Sequence, residues 1–227
     1  MSVNVVRDID KNVKVERVLV SVSDKSGLDL FIPRLLKINP NIHFYSTGGT
    51  FTHLQKVLGD AARDHLTQVS DYTGQAETQG GLVKTLDFKI YLGLLTEKYN
   101  EHHQGDLKRT GAVALDMVVV NLYPFAATVA KPGVTVEEAR SNIDIGGPCM
   151  VRASAKNYLR VASVTDPADY PKIADRLEKT GGLLTLADRF DLSRKAFSHT
   201  AAYDAAIARY LGERAISEVE GCYNFKD

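Results

Sequence analysis

The chain has 227 residues, 44% hydrophobic and 25% charged, with 28 Lys+Arg balanced by 28 Asp+Glu. That length buries a full core. The composition is that of an ordinary soluble globular protein, and the charge balance excludes a global polyanion-binding surface while leaving room for a local basic pocket. Cys149 and Cys222 fit no metal or redox spacing, and the longest apolar runs are too short to span a bilayer. The first residues lack a signal-peptide core. A cytoplasmic protein is expected, with no membrane or nucleic-acid partner.

Residues 1–16 are polar and weakly patterned, as in a short extension or an edge strand. Arg17 to Val22 is β-branched-rich and predicts a strand. Ser23-Asp24-Lys25-Ser26-Gly27 then suits the turn and cap of a helix over Leu28 to Lys37. Ile42 to Tyr45 predicts a second strand, followed by a loop, Ser46-Thr47-Gly48-Gly49-Thr50, and a helix from Phe51 to Leu58. This alternation predicts a parallel sheet with helices on its faces. Residues 66–84 contain Gly74, Gly80 and Gly81, show no period, and are expected to be an ordered functional loop.

Asp116 to Asn121 has the pattern of a buried strand, ended by Tyr123-Pro124. A helix is predicted over Val134 to Asn142, with Thr135 as its cap and Glu137-Glu138 in its first turn. Val161 to Thr165 predicts another strand, and Pro167-Ala168-Asp169-Tyr170 opens the helix after it. Leu186 to Tyr210 is the longest helical pattern, with Leu192, Ala196, His199, Tyr203, Ala206 and Tyr210 in one packing stripe. That stripe could pack on its own domain or on a twofold partner; a homodimer is the expectation. The economical division is an extension at 1–16, one α/β domain at 17–210 and a tail at 211–227.

Ligands of an open parallel sheet bind beyond the carboxyl ends of its strands. The turns at Ser23–Gly27 and Ser46–Thr50 and the segment Asn121–Phe125 all follow predicted strands, so they should converge on one rim. Small residues at a helix start let the backbone approach an anion, and hydroxyls of Ser46, Thr47 and Thr50 could add donors; the alternative is a plain β–α turn. Lys25 opposes the helix dipole at its own helix start, which hints at a ligand, although a solvated lysine is the plainer account. Lys84 could pair with a phosphate or polarise a carbonyl, with Thr85 beside it. Tyr123, ahead of a proline, could stabilise an oxyanion or simply pack on the rim.

The densest motif is Asn142-Ile143-Asp144-Ile145-Gly146-Gly147-Pro148, continuing through Arg152 to Lys156. Its glycines could leave N–H groups open to a ligand, and Asp144 and Lys156 form a candidate acid/base pair. Arg152 and Lys156 share one helix face. His102-His103 is expected to be exposed, and His199 to be a satisfied core or interface histidine. No Walker A loop, dinucleotide fingerprint, nucleophile elbow or metal-ligand spacing occurs, so no metal, ATP or dinucleotide is expected.

Together these segments resemble the inosine monophosphate (IMP) cyclohydrolase domain of the bifunctional purine-biosynthesis enzymes, from about Arg17 to about Tyr210. The resemblance rests on Ser21 to Gly27, Ser46 to Thr50, Val83-Lys84-Thr85-Leu86, Asn121-Leu122-Tyr123-Pro124-Phe125, Asp144-Ile145-Gly146-Gly147 and Lys195 to Ala201. It implies a methylglyoxal-synthase-like three-layer α/β/α sandwich with a mostly parallel sheet. It also implies an activity: closure of the purine ring of 5-formamidoimidazole-4-carboxamide ribonucleotide to IMP and water, without cofactor or metal. By the same resemblance Ser23, Lys25, Ser46, Gly49, Thr50 and Thr85 would hold the phosphate, with Asn121 in the substrate-binding set. Asp144 and Lys156 would transfer protons, and Lys84 and Tyr123 would orient the substrate and stabilise the oxyanion. Ile145 and Gly146 would offer backbone N–H groups.

The family usually reads Gly-Arg-Val-Lys-Thr-Leu-His-Pro where this chain has Gly81-Leu82-Val83-Lys84-Thr85-Leu86-Asp87-Phe88. Losing an arginine and a histidine and gaining Asp87 should weaken nucleotide binding. The segment Gly74 to Thr78 also departs from the family pattern. Residues 211–227 are too few for a transformylase domain, so a separate formyltransferase is expected to supply the substrate of a stand-alone chain. Two other readings share the fold: a non-catalytic purine-nucleotide-binding module and a methylglyoxal-synthase-type phosphate lyase.

Overall fold

The computed structural model describes residues 5–75, 78 and 84–226. Seven strands occur among them: β1 (Asn12–Lys14), β2 (Arg17–Val22), β3 (His43–Ser46), β4 (Leu66–Gln68), β5 (Met117–Asn121), β6 (Ala162–Val164) and β7 (Leu183–Thr185). The first half carries helices α1 (Leu28–Ile38), α2 (Gly48–Leu58), α3 (Ala62–His65), α4 (Val69–Thr73), α5 (Phe88–Leu95) and α6 (Glu101–Thr110). The second half carries α7 (Phe125–Val129), α8 (Val136–Ser141), α9 (Gly146–Lys156), α10 (Tyr170–Thr180), α11 (Leu186–Gly212) and α12 (Ile216–Glu220).

Five strands form a parallel sheet in the order β4-β3-β2-β5-β6, and β1 pairs antiparallel with β7 beside it. Alternation along the strands sorts the core into two layers. Val18, Val20 and Val22 of β2, with Met117 and Val119 of β5, face α1, α2 and α10. Leu19, Val118 and Val120 face α5, α9 and α11. The result is the expected α/β/α sandwich.

Gly27 caps α1 in the left-handed region (φ 78°), which glycine enters at little cost; a Cβ there would lie 3.2 Å from the Tyr170 ring. The α8 cap is the expected one, Thr135 and Glu138 forming a reciprocal capping box. Other boundaries differ. Ser46 belongs to β3, and α2 begins at Gly48 instead of Phe51. The stretch read as loop from 66 contains β4 and α4; Ala76, Glu77 and residues 79–83, including Gly80, Gly81, Leu82 and Val83, lie outside the described residues. The buried face of α11 is Arg189, Ser193, Ala196, Thr200 and Tyr210, while Leu192, His199, Tyr203 and Ala206 are only half-buried. The side chain of Arg189 draws the helix round, donating to the carbonyls of Leu184, Tyr158, Leu159 and Asp10. His199 is half-buried, and its Nε2 has no hydrogen-bond partner among the described residues. His103 is half-buried, its Nδ1 accepting from the Glu97 N–H at 3.2 Å. Among the described residues no helix is long and apolar enough to cross a membrane.

Candidate active site

The carboxyl ends of β2, β3 and β5 meet at a cavity of about 300 Å³, at the lower end of ordinary ligand sites. Its lining comes from the Ser21–Lys25 turn, the Thr47–Thr50 turn, Lys84–Leu86, Asn121, Tyr123, Asp144, Gly146, Gly147 and Met150. The convergence expected from strand order is therefore present.

One wall is cationic. The first N–H groups of α2, on Gly48 and Gly49, precede any intrahelical acceptor and carry the positive end of the helix dipole. A Cβ built on Gly48 would lie 3.1 Å from Lys84 Nζ, and one on Gly49 would lie 4.0 Å from Lys25 Nζ. Both ammonium groups thus stand over the same glycine turn. Ser21 and Thr47 join their hydroxyls at 3.0 Å on the same side.

The opposite wall is built around Asp144. Its Oδ1 accepts the Gly147 N–H at 2.9 Å. Burial pushes its carboxyl above the ordinary carboxylate range, and hydrogen bonds from the Gly147 and Tyr123 N–H groups oppose that shift. Both glycines are required by close approach: a Cβ on Gly146 would lie 2.4 Å from Thr85 Oγ1, and one on Gly147 would lie 2.4 Å from Asp144 Oδ2. The Gly147 N–H is therefore taken by Asp144 and is not open to a ligand. Tyr123 is half-exposed on the cavity edge.

Several sequence-derived residues have other duties. Ser46 is fully buried and donates to the Val20 carbonyl at 2.8 Å; it does not line the cavity. Thr50 lines it, but its hydroxyl donates to Val22 O and accepts Val22 N–H. Asn121 also reaches the rim, with its amide committed: Oδ1 accepts the N–H groups of Ser23 and Asp24, and Nδ2 donates to Asp24 O. It shapes the turn that presents Ser23 and Lys25. Ile145 is exposed at the cap of α9 and is not in the cavity wall.

Lys156 is the clearest correction. It is the exposed last residue of α9 and does not line the cavity. Ten residues of helix separate it from Gly146, about 15 Å at 1.5 Å per residue. The proposed Asp144–Lys156 pair is not brought together. Asp87 likewise places no charge in the cavity: it is buried and caps α5, its Oδ1 accepting the Lys89 N–H at 2.7 Å, and Phe88 beside it is exposed. Only the part of the expected weakening that rests on Asp87 entering the cavity is removed; Leu82 lies outside the described residues. Among the described residues no group of three or more His, Cys, Asp or Glu side chains gathers around a common metal position.

Sequence reasoning missed Ser21, Leu86 and Met150 in the cavity wall. The two apolar residues carry no local signal, because their contact with the cavity exists only once β5, α9 and the Lys84 turn assemble.

The chain matches the family model described as MGS-like domain over residues 31–149 and the model described as AICARFT/IMPCHase bienzyme over residues 154–226. It is 50% identical over 197 residues to the bifunctional purine biosynthesis protein PurH of Neisseria gonorrhoeae (strain NCCP11945), covering 87% of this chain and 36% of that protein. It is 47% identical to the PurH of Magnetococcus marinus over 198 residues, again 87% of this chain and 36% of that protein. The chain thus spans little more than a third of the length of these relatives. The crystal structure of ForH superimposes with a TM-score of 0.75 at 30% identity, covering 87% of this chain and 97% of that one.

Proposed function

The chain belongs to the MGS-like domain family, as the part that corresponds to the IMP cyclohydrolase domain of the AICARFT/IMPCHase bienzymes, and from that premise we propose that its cavity closes the purine ring of a formylated imidazole-carboxamide ribonucleotide. The observation that carries this reading is the two-sided cavity: two lysine ammonium groups over a glycine helix start on one wall and the half-buried Asp144 on the other.

The substrate phosphate sits on the cationic wall, held by Lys25, Lys84 and the N–H groups of Gly48 and Gly49, with hydroxyls of Ser23 and Thr47 beside it. Anchoring that end folds the formamide over the carboxamide and converts the attack into a near-unimolecular step. The carboxamide nitrogen then bonds to the formyl carbon, and Asp144 accepts the proton the nitrogen gives up. A carboxylate held above its ordinary range by burial is a stronger base than an exposed one. The formyl oxygen gains negative charge, which the Tyr123 hydroxyl stabilises. Return of the proton to that oxygen gives a carbinolamine, and its hydroxyl leaves as water with the proton of the former formamide nitrogen, forming the C=N bond that completes the purine. Met150 and Leu86 give the planar base an apolar surface. Asn121 supports Ser23 and Lys25 from behind, and Thr85 fits its hydroxyl against Gly146. This assignment moves Lys84 to the phosphate wall and leaves Lys156 out of the chemistry.

Ultraviolet detection of IMP from the formylated ribonucleotide, with purified chain and no added metal, tests the reading. Conversion well above the spontaneous rate is expected. No acceleration, with IMP still bound, would replace it with the binding-module reading. Turnover of dihydroxyacetone phosphate instead would favour the lyase.

A further inference from the structure

Tyr203 lies on α11, 59 residues from Asp144, and meets the active site through the Asp144 backbone. The Asp144 N–H donates to the Tyr203 hydroxyl oxygen at 2.7 Å, and that hydroxyl donates to the Asn142 carbonyl at 3.4 Å. One phenol thus closes both ends of the Asn142–Asp144 turn just ahead of α9. Its ring meets Phe125 edge-on, with centroids 6.3 Å apart and planes at 70°. Phe125 in turn donates its N–H to the Tyr123 carbonyl at 2.8 Å. The same side chain therefore braces the two segments that present Asp144 and Tyr123 to the cavity. It also joins two packing clusters, being partly buried against both.

We propose that Tyr203 is a positioning residue for Asp144: its hydroxyl fixes the Asn142–Asp144 turn so that the carboxylate caps Gly147 and faces the cavity. The inference rests on the reading of Asp144 as the proton acceptor. The fit around the carboxylate leaves little slack, since a single added carbon on Gly147 would collide with Oδ2. A turn free to move would lengthen the Gly147 hydrogen bond and change how the carboxylate faces the cavity. The titratable groups facing this unit are Tyr203 itself, with Asp204 near its phenol, Tyr123 from the β5 rim and Lys84 across the cavity.

Tyr203→Phe removes the hydroxyl and keeps the ring on Phe125. Tyr210→Phe is the control: Tyr210 packs edge-on to Phe125 at 5.8 Å in the same cluster, and Asp144 binds the phenol of Tyr203 instead. The readouts are steady-state kinetics with the formylated ribonucleotide and the pH titration of the Gly147 amide by NMR, which reports the Asp144 carboxyl bound to it. For Tyr203→Phe, kcat should fall about 10- to 100-fold with KM within about twofold. The Gly147 midpoint should shift toward the ordinary carboxylate range. Tyr210→Phe should leave both unchanged. Parent-like kcat and Gly147 titration in Tyr203→Phe would overturn the proposal. So would equal losses in both variants with the Gly147 titration unmoved, which would reduce Tyr203 to packing. The NMR titration needs no substrate, so it decides the positioning role even if the chain turns over nothing, an outcome that would remove only the functional reading.

Discussion

At the amino ends of the strands, Arg160 and Asp116 are buried together, and nearly every polar atom they carry is used within the protein. Arg160 donates to the carbonyls of Thr96, Leu115 and Gly93 and lies 3.5 Å from Asp116. Asp116 accepts the N–H groups of Glu16 and Arg17. At the carboxyl ends, Lys25, Lys84 and Asp144 line a cavity, and the two lysine ammonium groups reach the glycine start of α2. Basic side chains and an aspartate are built into the interior at one end and line the proposed ligand cavity at the other. What separates them is what surrounds the charge, backbone carbonyls and N–H groups at one end and a cavity wall at the other, and burial alone does not reveal that.

Breaking the first end should give the largest effect. Arg160→Met leaves the Asp116 carboxylate without its cation and three carbonyls without their donor, so it should cost about 3–5 kcal/mol of stability, read by urea unfolding. The chain that remains folded should bind IMP as the parent does. A loss of IMP binding without a loss of stability would erase the distinction between the ends.

A smaller effect sharpens the cavity end. Burial raises the Asp144 carboxyl above its ordinary value of 3.8, so the native state holds that proton more tightly than the unfolded chain. Stability is therefore lost as pH rises from the unfolded value through the folded one, and it stays lower above that window. Asp144→Asn removes the penalty and can still accept the Gly147 N–H. Thermal unfolding should show no gain over the parent at about pH 3 and a modest gain at about pH 7. A loss at neutral pH would mean that the carboxylate stabilises the fold and is not held there at a cost.

Much of the fold could be read because β2 and β5 are short runs rich in β-branched residues and followed by turn residues. Of the helices that the sequence pattern does not reveal, α5 and α6 are hidden for opposite reasons. α5 is apolar almost throughout and holds Gly93, where a Cβ would lie 2.4 Å from the Val113 carbonyl oxygen; no two-sided period survives. α6 is polar almost throughout, buries only Leu107 and depends on its Asn100 cap. At the site, the positions of Lys25, Thr47, Gly48, Gly49 and Tyr123 follow from strand ends. Lys156 stands away from the cavity because closeness in sequence to Gly147 is undone by a helix that carries it away. Ser46 stays out of the cavity wall because a strand ending one residue later than the pattern predicts turns its hydroxyl into the core. Tyr203 carried no signal for Asp144, since only the packing of α11 beside α9 joins them.

The most direct test of the divided cavity is steady-state kinetics of Lys25→Ala beside Asp144→Asn on the formylated ribonucleotide. The account predicts a KM raised about tenfold with kcat within about twofold for the lysine variant, as expected when uniform binding is lost. For the aspartate variant it predicts a kcat lowered about 10²- to 10⁴-fold with KM nearly unchanged. Equal losses of kcat in both, or a purely KM effect from Asp144→Asn, would contradict it.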